Sequence, residues 1–210
     1  LTQAVIAVVA ASALFIYLAV QLNPLCGMLS PLALLWIYGY SYAKRFTMLA
    51  HHMLGFALGI APVGAYLAVT GAWSTPWWAL VVLALGVTFW VAGFDVIYAL
   101  QDLEFDREHG LHSIPAALGS SRAVALARGF HILAFALFLA LYWIAAFDLG
   151  VLYLAGLAVM AGLLVYEHVV IGGGDTARLD LPRIDRAFFK ANIAVSLSIF
   201  TFTLLDRLIS

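Results

Sequence analysis

The sequence predicts an all-α bundle of seven membrane-spanning helices. Three observations carry that expectation. Of its 210 residues, 65% are hydrophobic and only 10% are charged. The mean hydropathy of +1.05 lies far above that of an ordinary soluble domain. Apolar segments of about 20 residues follow one another with short breaks, and helices satisfy their own backbone inside lipid. No separate soluble domain is visible, so residues 1–210 read as one transmembrane domain.

The spans follow in order. The first, residues 4–22, is ended by the turn pair Asn23 and Pro24. No basic leader precedes Ala4, so this segment reads as a span rather than a cleaved signal peptide. The second, residues 26–42, delivers Tyr40, Tyr42, Lys44, Arg45 and Thr47 to a membrane surface, where aromatic rings and basic heads are favoured. The third, residues 52–70, carries Gly55, Gly59, Gly64 and Pro62, which permit close helix packing or a kink. After a loop over 71–76 comes the fourth, residues 77–98. Residues 123–147, 150–166 and 188–205 supply the last three, separated by Asp148 and by a polar stretch over 172–186 that begins with flexible glycines.

Charge orients the bundle. Lys44, Arg45, Arg107, Arg122, Arg128, Arg178, Arg183, Arg186 and Lys190 fall on one side of this arrangement, and Arg207 alone falls on the other. The positive-inside rule makes the loaded side cytoplasmic, with Leu1 inside and Ser210 outside. A multi-pass protein of a bacterial inner membrane is expected. The net charge of −1 lacks the clustered Lys and Arg of a nucleic-acid surface, and Cys26, the single cysteine, forms no internal disulfide.

Against this oily background, residues 95–115 read DVIYALQDLEFDREHGLHSIP and hold five carboxylates. If the fourth helix continues through them, Asp95, Asp102 and Asp106 lie within about 20° of one stripe, with Glu104 and Glu108 on the opposite side. A solvated interhelix loop is the ordinary reading of such a run. Three features weigh against it: Asp95 lies inside an apolar span, the three aspartates share a face, and basic residues gather at the same surface. Oxygen-only ligands at this spacing suit Mg²⁺ and, through it, a diphosphate; zinc would call for His or Cys. The rise from Asp95 to Asp106 is about 16 Å, too long for one ion, so Asp102 and Asp106 form the pair.

The remaining polar residues are read more plainly. His51 and His52 are interfacial, and His109 and His112 are not metal ligands. His131 and His168 stand near cytoplasmic helix ends. Asn192 lies inside the last span and either binds neighbouring helices or joins the site. Asp148, Asp206 and Arg207 fall toward the far surface and read as solvated.

Tyr98, Asp102 and Asp106 form a YxxxDxxxD pattern that extends to Gly110 and Ser113. With Asp95 in DVIYALQD, the element YSYAKRFT from Tyr40 to Thr47, and Gly55 with Gly59, the chain resembles the UbiA superfamily of intramembrane aromatic prenyltransferases over nearly its whole length. The branch resembled includes the 4-hydroxybenzoate polyprenyltransferases. The resemblance implies a nine-helix bundle whose cavity opens to lipid and binds a polyprenyl diphosphate through Mg²⁺. The family's other acidic motif, NDxxDxxxD, has no counterpart here, so the chain is expected to lack two helices and half of the metal site, and to be inactive alone. Two departures are His112, where relatives often carry lysine, and Ser41, where proline is common.

Residue by residue, the resemblance assigns Asp102 and Asp106 to Mg²⁺ on the diphosphate, Asp95 to a supporting or orienting role, and Lys44 and Arg45 to diphosphate oxygens. Tyr98 and Tyr40 would shield an allylic cation, and His112, Ser113 and Asn192 complete the substrate contacts. The implied reaction is transfer of a polyprenyl group to a small aromatic acceptor such as 4-hydroxybenzoate, in ubiquinone or menaquinone biosynthesis. Tyr166 to His168 (YEH) and Ala187 to Asn192 (AFFKAN) also resemble a subgroup of the futalosine route, whose acceptor is a menaquinone precursor. From another class, an aspartate stripe suits a cation- or proton-coupled transporter, although the sequence shows neither the repeats nor the matched broken helices of one.

Overall fold

The computed structural model describes residues 2–172, 184 and 186–209. Expectations that fell on Leu1, Ser210, Arg178, Arg183 and the glycines at 173 and 174 lie outside the described residues. The architecture is all-helical. In order come α1 (Thr2–Leu22), α2 (Pro24–Tyr40), a 3₁₀ turn (Ala43–Arg45), α3 (Ala50–Thr70), α4 (Trp78–Tyr98), a second 3₁₀ turn (Ala99–Asp102) and α5 (Leu103–Glu108). Then follow α6 (Ile114–Leu118), α7 (Ser120–Leu141), α8 (Val151–Ile171), a π-helical turn (Arg186–Ala191) and α9 (Asn192–Ile209).

Among the described residues six helices are long and apolar enough to cross a membrane, and the seventh expected span, α2, is 17 residues long. At 1.5 Å per residue α2 is about 26 Å long, at the short end for a span. Its start is set locally. Asn23 is extended, its Oδ1 accepts from Cys26 N–H (2.9 Å), and Pro24 begins the helix where no donor is needed. The same side chain donates from Nδ2 to the Leu67 carbonyl (2.9 Å), so one asparagine starts α2 and ties it to the end of α3. Gly71, at φ +64°, caps α3 in the left-handed conformation that glycine adopts without penalty.

Several boundaries differ from expectation by one to six residues, and three of them have a local cause. The second helix ends at Tyr40 rather than residue 42, because the chain tightens into the 3₁₀ turn that carries Lys44. The fifth span stops at Leu141 rather than 147; its 22 residues already cross about 30 Å, and residues 142–147 continue as successive turns. The sixth runs on to Ile171 rather than 166, because Glu167 is sealed among neighbouring helices instead of meeting water.

Helix α4 is the centre of the bundle. Half of its spanning window is buried, against 6% for α1, whose sole buried residue is Ala19. Gly55 and Gly59 bring α3 against it: a Cβ at Gly55 would collide with the Thr88 carbonyl, and one at Gly59 would stand 2.6 Å from the Ala84 oxygen. Gly64 has nothing within 4 Å, so it plays no part in that contact. On the other flank, Gly93 of α4 makes room for the His131 ring of α7, which sits mid-helix and buried rather than near a helix end.

The far end of the bundle is fastened by a residue expected to be solvated. Asp206 is 4% exposed. Its carboxylate accepts from Gly150 N–H (2.5 Å), Leu152 N–H (3.0 Å) and Tyr153 N–H (3.3 Å), the donors left open at the start of α8. Asp148 and Arg207 do form an exposed ion pair, at 2.8 Å. Asp206→Ala is therefore expected to lower unfolding stability in detergent by about 2 kcal/mol, because three donors at the start of α8, one buried and two part-buried, lose their acceptor. Asp148→Ala should cost no more than about 0.5 kcal/mol in the same thermal-unfolding assay.

Candidate functional site

The acidic stretch does not continue α4 as one regular helix. After Tyr98 the backbone tightens into the 3₁₀ turn Ala99–Asp102 before α5 resumes the α-helical pitch. Four residues at about 120° each, rather than 100°, rotate α5 by about 80° relative to a continuous helix. The single stripe expected for Asp95, Asp102 and Asp106 is therefore broken, and the three serve two different partners.

Asp102 and Asp106 share Lys44. Its Nζ lies 3.4 Å from Asp106 Oδ2 and 3.7 Å from Asp102 Oδ2. The Asp106 side chain is 1% exposed and that of Asp102 44%, so one carboxylate is buried behind the other. Two carboxylates this close favour a cation between them, and the ammonium provides it. The backbone holds the same geometry: His112 N–H donates to the Lys44 carbonyl (2.6 Å) and Leu111 N–H to that of Asp106 (2.8 Å), with Gly110 turning between at φ +64°. Arg45 points elsewhere, its guanidinium carbon 5.6 Å from the Tyr42 ring centre.

Asp95 binds His51. His51 is fully buried, not interfacial; its Nδ1 lies 2.7 Å from Asp95 Oδ2, and its Nε2 lies 3.2 Å from Ile114 N. An amide N–H can only donate, so Nε2 is the acceptor and Nδ1 carries the proton given to Asp95. One neutral imidazole thus joins α3, α4 and the start of α6. Ser113, also fully buried, caps α6 by accepting from Ala116 N–H (3.3 Å), whereas His112 is exposed. Ser113 therefore shapes the loop from within.

Below the acidic pair runs an aromatic ladder. Trp90, Phe94 and Tyr98 are spaced by four on α4: Tyr98 and Phe94 meet Phe188 at 4.1 and 5.4 Å between ring centres, and Trp90 meets Phe94 at 5.6 Å. Asn192 closes its deep end, accepting from Trp90 Nε1–H (3.0 Å) and donating to the Phe188 carbonyl (2.8 Å). Tyr40 ends α2 half-buried.

A model of the UbiA prenyltransferase family matches residues 1–193. The chain belongs to that family. Among its relatives, a 4-hydroxybenzoate octaprenyltransferase from Azoarcus sp. (strain BH72) is 33% identical over 76% of this chain and 54% of its own length. One from Nitrosomonas eutropha is 31% identical over 91% and 63%. The chain spans about half the length of the curated relatives it matches. The apo structure of a UbiA homologue from Aeropyrum pernix K1 is 33% identical and superposes over 99% of this chain and 73% of that one, with a TM-score of 0.83. A digeranylgeranylglyceryl phosphate synthase, 18% identical, shares the fold at a TM-score of 0.67.

For this UbiA chain the structure brings together Lys44, Asp102 and Asp106, and sets Asp95 apart with His51. Among the described residues no third His, Cys, Asp or Glu joins a metal-binding group. His51 was the residue that sequence reading missed. Its signal was its place near the KRFT element, one residue before His52, and two adjacent histidines near a span end resemble a surface pair. His51→Leu should leave a carboxylate and a buried N–H without partners and cost about 3 kcal/mol. His51→Gln, which keeps one donor and one acceptor, should recover most of it. Amide hydrogen exchange at Ile114 reads the difference: fast in the Leu variant, near normal in Gln.

Proposed function

We infer that this protein works as a prenyltransferase, moving a polyprenyl group from polyprenyl diphosphate to a small aromatic acceptor such as 4-hydroxybenzoate, a precursor of quinones. One observation carries the reading. The Oδ2 atoms of Asp102 and Asp106 converge on a single cationic position, within 3.7 Å of one ammonium, at the mouth of an aromatic-lined helix bundle. The names of the relatives support the chemistry.

The donor set fits Mg²⁺, which takes hard oxygen ligands and fills its remaining positions with water and phosphate oxygens. Asp102 and Asp106 would hold it. When bound, the ion neutralises diphosphate oxygens and so favours departure of the diphosphate. Lys44 stands at the same point and would pass from the two carboxylates to the phosphate oxygens. Arg45, exposed nearby, adds positive charge at this surface. As the allylic C–O bond breaks, the electron pair leaves with the diphosphate and the prenyl carbon becomes cationic. The π face of Tyr98, backed by Phe188, would shield that carbon until the acceptor ring bonds it. The ring then restores its aromaticity by releasing the ring proton, which leaves with the diphosphate or to water. The apolar walls along α4 exclude water, which would divert the cation to an alcohol. Asp95 acts at one remove by holding His51 and the loop. The basic residues around Lys44 and Arg107 favour a cytoplasmic position for this end.

Membranes in which the chain is joined to a segment carrying the NDxxDxxxD motif should transfer a radiolabelled prenyl chain to 4-hydroxybenzoate in Mg²⁺ and stop when excess chelator is added, whereas the 210 residues alone should transfer little or none. Transfer that persists with chelator would remove the metal from the reading. Asp102→Asn and Asp106→Asn should each lower the rate by about two orders of magnitude or more at unchanged protein level. Near-normal rates in both would overturn the assignment of the pair.

A further inference from the structure

We propose that the outward groove between α7 and α8 is a binding site for one anionic glycerophospholipid. The two helices run antiparallel, with His131 level with His168, Nδ1 to Nε2 at 3.0 Å. His131 also gives its Nε2–H to the Trp90 carbonyl (3.3 Å), which fixes both rings as an inner wall. Against that wall lies a cavity of about 440 Å³.

Its lining is graded along the membrane normal. The wall itself is almost wholly apolar: the stem of Arg128 and the ring edges of His131 and His168 stand at one end, Phe135, Ala161 and Leu164 at the other, and the Arg128 guanidinium is the polar group at the mouth. Seven residues separate Arg128 from Phe135, and seven separate His168 from Ala161, so the gradient runs over about 10 Å on both walls. Counting three residues from the His131–His168 pair puts Arg128 level with Ile171, the last residue of α8. Arg128 therefore stands toward the end of the bundle that carries Lys44, where its long side chain can reach a headgroup phosphate at the membrane surface. The rim residues Ile132 and Val165 are 65% and 63% exposed, so the groove opens sideways, toward acyl chains. Arg128 is exposed and has no carboxylate partner among the described residues. A phosphodiester supplies the missing anion, and an acyl chain covers the apolar end. The rings of the aromatic ladder in the proposed reaction pack toward Phe188 and line no part of this groove, which meets the ladder only through the Trp90 carbonyl behind His131.

Native mass spectrometry of the purified protein, equilibrated with an equimolar mixture of dioleoyl phosphatidylglycerol and dioleoyl phosphatidylcholine, tests the site. The wild-type protein should retain one phosphatidylglycerol with about fivefold preference. Arg128→Gln should abolish that preference, whereas Arg122→Gln, an exposed arginine on the same helix outside the groove, should leave it intact. Ala161→Trp, which fills the apolar end without changing charge, should expel the bound phosphatidylglycerol. Equal retention of the two lipids by wild type, equal loss in the two arginine variants, or full retention in the tryptophan variant would each overturn the proposal. So would displacement of phosphatidylglycerol by geranyl diphosphate at equal concentration, since that would make the groove a substrate site.

Discussion

The neutral imidazole of His51 is the constraint on which this end of the protein depends. It is buried without a charge, and both ring nitrogens are satisfied, by Asp95 on one side and Ile114 N–H on the other. That arrangement works only if α3, α4 and the start of α6 are in register to within a few tenths of an ångström. The glycines of α3 provide the register. Gly55 lies one turn beyond His51 and Gly59 two turns beyond, and both let α3 sit directly on the backbone of α4. Lys44, just before α3, is then delivered to the acidic pair. Backbone contact, imidazole and ammonium form one sequence of dependencies.

The two ends of the bundle solve the same problem with different chemistry. At the far end Asp206 satisfies open helix donors directly, a structural use of a carboxylate that leaves no acceptor capacity facing outward. At the lysine end Asp102 and Asp106 meet a flexible side chain, and Asp102 keeps a solvent-facing edge. A carboxylate held by backbone N–H groups is committed, whereas one held by a lysine can change partner. The acidic pair is of the second kind.

Much of this was legible in the sequence, because lipid imposes strong rules. Hydropathy and turn residues located all seven helices, and the burial of α4 agrees with its uninterrupted apolar run. Boundaries failed where polarity and burial part company. The sixth span is expected to stop at residue 166, one short of Glu167, yet Glu167 is sealed from solvent by its neighbours. Residues 142–147 looked like helix because they are apolar, although the chain had already crossed. The pairing of Asp102 with Asp106 was readable from rise per residue alone. His51 was not, because its partners lie 44 and 63 positions away, and nothing local distinguishes a buried imidazole from a surface one. Asp206 was missed for the same reason: its partners come from another helix.

The 3₁₀ turn at Ala99–Asp102 acts as a phase shifter between two groups of carboxylates. Because it adds rotation without adding residues, the facing of Asp102 and Asp106 is set by backbone pitch and not by their spacing in the chain. A substitution among Ala99, Leu100 and Gln101 that restored regular helix would turn the acidic pair away from Lys44 while leaving every acidic and basic residue in place. The orientation of this site is thus encoded in three uncharged residues that carry no chemistry of their own.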